Sequence, residues 1–401
     1  MKKILFISPA FANEGVVNKY DRRYIDSWSK DCCFTVATKK FCNKDKYPYE
    51  FLLSSHFFSH TIQILQGRYL NGREVVVPDS NVLTIKPFLL RKCRQYLNTH
   101  KVDVIHTVSF PCSSHLIGYE LKKEFGLPWI AHFYDPWYDN PLRNIPDSKR
   151  EKDAQMEALV AEYADAIIHS NNVIKECWNE RYGESLRGKI YIIPFGYSDE
   201  QVKAFAPFSG SLPQTDKIVM SYIGTCAGER NFQSLIKAVD LLKLEMPCCG
   251  DKLEIRLLGN LLDCDKVLID RLRLWDVFTY VGRKPQSELQ KYYKESDIFL
   301  VIDSPQDKNV FFPSKLVDYF YYQRPILGIS PKIGVTNQFL TESGNHCFTN
   351  DDAQGICAYL TQIITNIESI TNYDRNFYKQ FLPEEMSKTY NTILKRLEML
   401  M

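Results

Sequence analysis

The sequence predicts two α/β domains, each built on a parallel sheet, and three observations lead there. The chain has 401 residues, roughly twice what one core of ordinary size organises. Short apolar runs ending in small or polar residues alternate with helix-period segments, the pattern of a parallel sheet covered by helices. That alternation stops at a Gly-, Pro- and Ser-rich segment over 196–216, containing Pro207 and Pro213, and then starts again.

In the first half, strands are predicted over 3–7, 34–37, 102–106, 129–133, 166–169 and 189–193, with helices such as 114–125 and 151–163 between them. Met1-Lys2-Lys3 before Ile4 has a faint look of an export signal. The apolar run is short, and Asn13 and Glu14 break its continuation, so it reads as a buried first strand. In the second half, strands 218–223, 253–258, 279–281, 298–302 and 325–329 alternate with helices over 232–244, 287–295 and 313–322. The division this implies is a first domain over 1–200, a linker at 201–213 and a second domain over 214–382. A final amphipathic helix over 383–401 is free to pack back on the first domain. Two such domains facing each other set a cleft at the carboxyl ends of both sheets, where open α/β folds bind ligands.

Composition excludes several classes. With 45% hydrophobic and 24% charged residues the chain is a folding one, and a net charge of +2 gives no field to recruit nucleic acid. The 12 cysteines are scattered, with adjacent pairs at Cys32–Cys33 and Cys248–Cys249 but no C-x-x-C, so they read as free thiols of a cytoplasmic protein and not as a zinc site. No run of 18 apolar residues spans a membrane. The basic stretch 85–94, with interleaved apolar residues, fits either a helix packed on a sheet or a peripheral contact with the inner membrane face. Neither half carries Gly-x-Gly-x-x-Gly after its first strand, which disfavours a dehydrogenase.

The most informative segment is Phe311-Phe312-Pro313-Ser314-Lys315-Leu316-Val317-Asp318-Tyr319, followed by Pro325-Ile326-Leu327. Pro313 suits a first helical turn, because its missing N–H is one of the unpaired donors there. The amides of Ser314, Lys315 and Leu316 are then expected to point at a diphosphate, helped by a helix dipole worth about 0.3–1 kcal/mol per charge. Lys315 adds a point charge, and Asp318 lies one turn deeper, placed for ribose hydroxyls. The plain alternative is a Pro-started helix with solvated Lys and Asp.

These residues resemble the donor loop of family 4 glycosyltransferases, of GT-B fold. In that family a Glu, seven residues and a second Glu bracket the loop. Asp318 falls at the second, which the resemblance assigns to the ribose, and Val310 at the first. A valine cannot make the acid's contact to the transferred sugar, which leaves Asp307, Asn309 or backbone. The family usually carries an Arg just after a Gly at the end of the second domain's first strand, and a Lys a few residues on. Here Gly224 is followed by Thr225, and Arg230, beside Asn231, is the candidate cation for the leaving phosphate. Gly259 and Gly282-Arg283 end strands and resemble the family's nucleotide-side turns. In the first domain, His132 and Asp135 end a strand and resemble the segment beside the reacting sugar. His132 is expected on the donor sugar, and Asp135 on His132 or the acceptor hydroxyl; a satisfied core histidine is the alternative. Gly15 falls where the family turns near that sugar. His106 also ends a strand.

The resemblance implies a retaining glycosyltransferase moving a sugar from a nucleotide-diphosphate donor to a glycan, lipid-linked or other hydroxyl acceptor in cell-surface polysaccharide or glycoconjugate synthesis. No cofactor or metal is expected, and Asp351-Asp352 and Asp263-Cys264-Asp265 read as solvated charges. Two alternatives stay open: an inactive nucleotide-sugar-binding or scaffold paralogue, and a sugar-nucleotide epimerase on the same fold.

Overall fold

The computed structural model describes residues 1–11, 16–38, 49–53, 86–109, 111–141, 146–186, 188–204, 217–226 and 229–400. The chain forms two compact units, Met1–Val202 with Phe381–Met401, and Lys203–Gln380. Most of the predicted linker lies outside the described residues.

The first unit carries β1 (Lys2–Ile7), β2 (Cys32–Thr38), β3 (Glu50–Leu53), β4 (Val104–Val108), β5 (Trp129–Phe133), β6 (Ala166–His169) and β7 (Ile190–Ile192) in one parallel sheet, ordered β3-β2-β1-β4-β5-β6-β7. The order reverses between β1 and β4, the switch point of a doubly wound fold. The strands are apolar without alternation because helices cover both faces: β4, β5 and β6 are buried at every position. The basic stretch becomes the helix Lys86–Leu97, whose Leu89, Leu90 and Cys93 are buried. Its Lys86 and Arg94 pair with Glu120 and Glu124 of the helix Ser114–Phe125.

The helix Pro383–Met399 belongs to this first unit. It packs on the helix Val16–Trp28, with Tyr390 stacked on Trp28 at 3.9 Å between centroids, and Ser27 Oγ donating to the Pro383 carbonyl at 2.7 Å. Met386, Ile393, Leu394 and Leu397 complete its apolar face.

The second unit repeats the pattern with β8 (Ile218–Ile223), β9 (Leu253–Leu258), β10 (Phe278–Gly282), β11 (Ile298–Ile302), β13 (Ile326–Ile329) and β15 (His346–Phe348), ordered β10-β9-β8-β11-β13-β15. A two-residue ladder joins β12 (Lys308–Asn309) to β14 (Ile333–Gly334).

Buried imidazoles mark the first unit. His169 has none of its surface exposed, packs against Trp178 (4.7 Å) and Phe133 (5.4 Å), and has no hydrogen-bond partner on either nitrogen among the described residues. Burial pushes its pKa down to about 3. The folded state therefore holds it neutral while the unfolded chain takes up a proton below about 6.5, so its contribution to stability is lost as pH falls from 6.5 towards 3. Relative to His169→Leu, the wild type should lose about 2 kcal/mol between pH 7 and pH 5 in urea unfolding. A gap independent of pH would show that His169 reaches solvent.

Candidate functional site

Three glycines at neighbouring strand ends shape a shelf on the second unit. Gly224 follows β8, Gly259 follows β9, and Gly282 ends β10. The Gly224 N–H donates to the Leu258 carbonyl and the Gly259 N–H to the Gly282 carbonyl, both at 3.0 Å. Gly224 and Gly259 have φ of 150° and 119°, a backbone region that side chains resist. A Cβ on Gly259 would lie 1.9 Å from the Gly224 carbonyl oxygen, and one on Gly224 would lie 2.7 Å from Lys315 Nζ. At Gly259 only bare backbone fits.

Charge gathers beside this shelf. Lys315 opens the helix Lys315–Tyr321, and its Nζ sits 3.6 Å from the centroid of the Tyr222 ring. That ammonium is buried and has no acceptor among the described residues. Burial, with the nearby Arg230 adding to it, pulls its pKa down to about 7. Arg230 donates to the Thr225 carbonyl at 3.4 Å and lies 3.9 Å from Asp303 Oδ1. Asp303, buried just past β11, accepts from Asn309 Nδ2 at 2.6 Å and Ser330 Oγ at 2.9 Å through its other oxygen. Two cations thus face one carboxylate. A buried amine without an acceptor costs free energy that an arriving anion relieves, so the cluster is built to receive negative charge.

Several expectations are corrected here. The helix begins at Lys315, with Ser314 as its N-cap, so Pro313 precedes the helix and does not open it. The Leu316 amide donates to the Pro313 carbonyl at 2.9 Å and is not offered to a ligand. Asn231 is committed locally: its Oδ1 accepts from the Gln233 amide at 3.1 Å and its Nδ2 donates to the Glu229 carbonyl at 2.9 Å, shaping the start of the helix Gln233–Glu245. Asp265 is fully buried and receives the Phe232 amide at 3.3 Å, so it is a helix-start acceptor and not a solvated charge. Asp352 caps the helix Ala353–Thr365 through the Gly355 amide at 2.8 Å. Asn309 is buried and spent on Asp303, while Asp307 is exposed and Val310 buried. Asp318 is half-buried one turn into its helix, and Thr225 and Arg283 are exposed. Gly15 lies outside the described residues.

In the first unit, His132 has no exposed surface and is boxed by Tyr24 (5.1 Å), His106 (5.6 Å), Tyr134 (4.9 Å) and Trp28 (6.3 Å). Neither ring nitrogen has a hydrogen-bond partner among the described residues, and burial holds its pKa well below the ordinary value. This corrects both the sugar contact expected of it and the hydrogen bond expected from Asp135. The reason is general: in a strand covered on both faces, position near the carboxyl end does not by itself turn a side chain towards a ligand. His106 is likewise buried, with Nδ1 3.0 Å from Tyr390 Oη. Asp135, two residues past β5, is half-buried and its carboxylate has no hydrogen-bond partner among the described residues. Burial raises its pKa to about 6.

Asp303 and Tyr222 were not singled out from sequence. An acid directly after a five-residue buried strand was a usable signal for Asp303. Nothing marked Tyr222, whose ring carries Lys315 by cation–π attraction.

A family model described as glycosyl transferases group 1 matches residues 206–380, the stretch holding Gly224, Arg230, Lys315 and Asp318. No curated protein sequence matches the chain. Among solved structures, sucrose-phosphate synthase from Thermosynechococcus elongatus superposes with a TM-score of 0.68 at 16% identity over 100% of both chains. HepE of Anabaena in complex with UDP gives 0.66 at 13% identity over 99% of this chain and 100% of that one. The lipopolysaccharide outer core galactosyltransferase WaaB gives 0.66 at 14% identity, over 98% of this chain and 99% of the other. The fold is that of the GT-B glycosyltransferases, two α/β units with parallel sheets.

Proposed function

We propose that the protein is a glycosyltransferase that takes its sugar from a nucleotide-diphosphate donor, with the diphosphate held on the second unit. The observation that carries this is the Lys315 ammonium, buried without an acceptor among the described residues, beside Arg230 and the bare backbone of Gly224. In transfer, the acceptor oxygen bonds to the anomeric carbon as the bond from that carbon to phosphate oxygen breaks. The departing diphosphate keeps the electron pair, and Lys315 and Arg230 stabilise its charge. Gly224, Gly259 and Gly282 let phosphate and sugar approach the backbone, the Ser314 and Lys315 amides supply donors, and Asp318 takes the ribose. Asp135 orients the acceptor hydroxyl. Configuration is retained, with the donor's own phosphate oxygen taking the acceptor proton. No resident metal is needed, and turnover should survive a chelator.

The donor-side reading is supported by the match over 206–380 and by HepE, which binds UDP and UDP-glucose. UDP and UDP-glucose are therefore the probes. UDP at 100 times its dissociation constant should stabilise the protein by about 2.7 kcal/mol in a thermal melt, and uridine at the same concentration should not. If no nucleoside diphosphate raises the melting point, the reading is wrong. A second reading, a nucleotide-sugar-binding paralogue without turnover, is favoured by the buried Val310 where the resembling family has an acid. Stabilisation by UDP-glucose with no release of UDP, across a panel of donors and glycan or lipid-linked acceptors, would establish it.

A further inference from the structure

A polar layer crosses the first unit just past the ends of four adjacent strands. Ser8 follows β1, Ser109 follows β4, Tyr134 follows β5 and Ser170 follows β6. All four are buried. Tyr134 is held at three points: its N–H donates to Ser109 Oγ at 2.9 Å, its carbonyl accepts from Ser170 Oγ at 3.0 Å, and its hydroxyl donates to Asp21 Oδ1. Asp21, buried on the helix Val16–Trp28, also accepts from Ser8 Oγ through Oδ2 at 2.6 Å. Asn171 Nδ2 donates to Ser170 Oγ at 3.1 Å and so joins the next helix to the layer. Such a network fixes its members more firmly than single bonds do. The residue after Tyr134 is Asp135, whose own carboxylate has no hydrogen-bond partner among the described residues.

We propose that Asp21 and Tyr134, tied in by Ser8, Ser109 and Ser170, form a clamp that positions Asp135. The inference rests on Asp135 being the group that orients the acceptor hydroxyl. A carboxylate with no hydrogen-bond partner among the described residues takes its direction from its backbone, and both peptide groups of Tyr134, its neighbour in the chain, are tied down. Asp21 and Tyr134 are positioning residues; neither touches the acceptor. Burial at this turn raises the Asp135 pKa to about 6, so its titration reports whether the turn stays closed.

Carboxyl ¹³C NMR of the full chain labelled at aspartate, with the Asp135 signal assigned by its loss in Asp135→Asn, reads the clamp without any substrate. Wild-type Asp135 should titrate near 6, and Tyr134→Phe, which removes the anchor on Asp21 and leaves the two backbone ties, should move its midpoint part of the way towards the ordinary value of about 4 as the loosened turn admits water. Asp21→Asn keeps an acceptor for the Tyr134 hydroxyl and should leave the midpoint near 6. UDP release from UDP-glucose should fall about tenfold in Tyr134→Phe, with UDP affinity unchanged. An unshifted midpoint in Tyr134→Phe, or a wild-type midpoint near 4, overturns the clamp. Should Tyr134→Phe not fold, Ser170→Ala, which frees the Tyr134 carbonyl alone, should shift the midpoint the same way by a smaller step, and no shift there is equally fatal. Wild-type turnover in Asp135→Asn refutes the role of Asp135 itself and leaves the NMR result standing.

Discussion

Lys315→Met should weaken UDP binding by roughly 10- to 150-fold, the equivalent of a charged hydrogen bond worth about 1.5–3 kcal/mol, while uridine binding stays the same. The size follows from the amine's setting. It is buried, it has no acceptor among the described residues to lose, and the bare Gly224 backbone lies against it. The wild type should also show a pH signature. With its pKa drawn down to about 7, the free protein's Lys315 is charged below that pH and neutral above it, whereas bound diphosphate favours the charged form. UDP affinity should therefore fall by up to about tenfold per pH unit above 7. The last ionisation of a phosphate lies near 6, so the ligand's own charge is nearly constant there. Isothermal calorimetry at pH 7 and 8.5 separates the cases. A pH-independent wild type, or a Lys315→Met variant that keeps the slope, removes Lys315 from the phosphate.

The second large effect is expected from Gly259→Ala. The added Cβ would meet the Gly224 carbonyl oxygen at 1.9 Å, at a φ of 119°. Backbone strain of this kind costs about 1–3 kcal/mol, and moving one strand end away from another adds to it. A drop in melting temperature on the order of 10 °C is expected for a unit of this size, together with loss of UDP binding, because Gly224 must shift. Gly126→Ala is the control. Gly126 also has positive φ, 67°, but its Cβ would meet nothing within 4 Å, so only the smaller conformational cost remains. Equal effects from the two variants would show that the close approach at Gly259 is not what the turn requires.

The fold was legible because parallel strands covered on both faces leave continuous apolar runs, and those runs recur in two series. β3, β12, β14 and β15 were not read. Two of them are two-residue ladders, and Glu50–Leu53 and His346–Phe348 are short edge strands without a long apolar run. In the candidate site, the motif singled out Lys315, and their places after apolar runs singled out Gly224, Gly259 and Gly282. Asp265 was misread because its partner, the Phe232 amide, lies 33 residues away in the chain, and no local pattern reports that burial. His132 was misread for a related reason: a strand's pattern states that it is buried, not which of its polar side chains stay inside. That Lys315 is buried without an acceptor among the described residues could not be inferred from sequence at all.

The return of the helix Pro383–Met399 to the first unit has a consequence for how the molecule is made. Tyr390 and its neighbours leave the ribosome only after residues 203–380 have been synthesised. The half translated second has all its strands and helices in hand while the half translated first still lacks the surface that covers Trp28. Completion thus runs against the order of translation, and the earliest-made core is the last to be sealed.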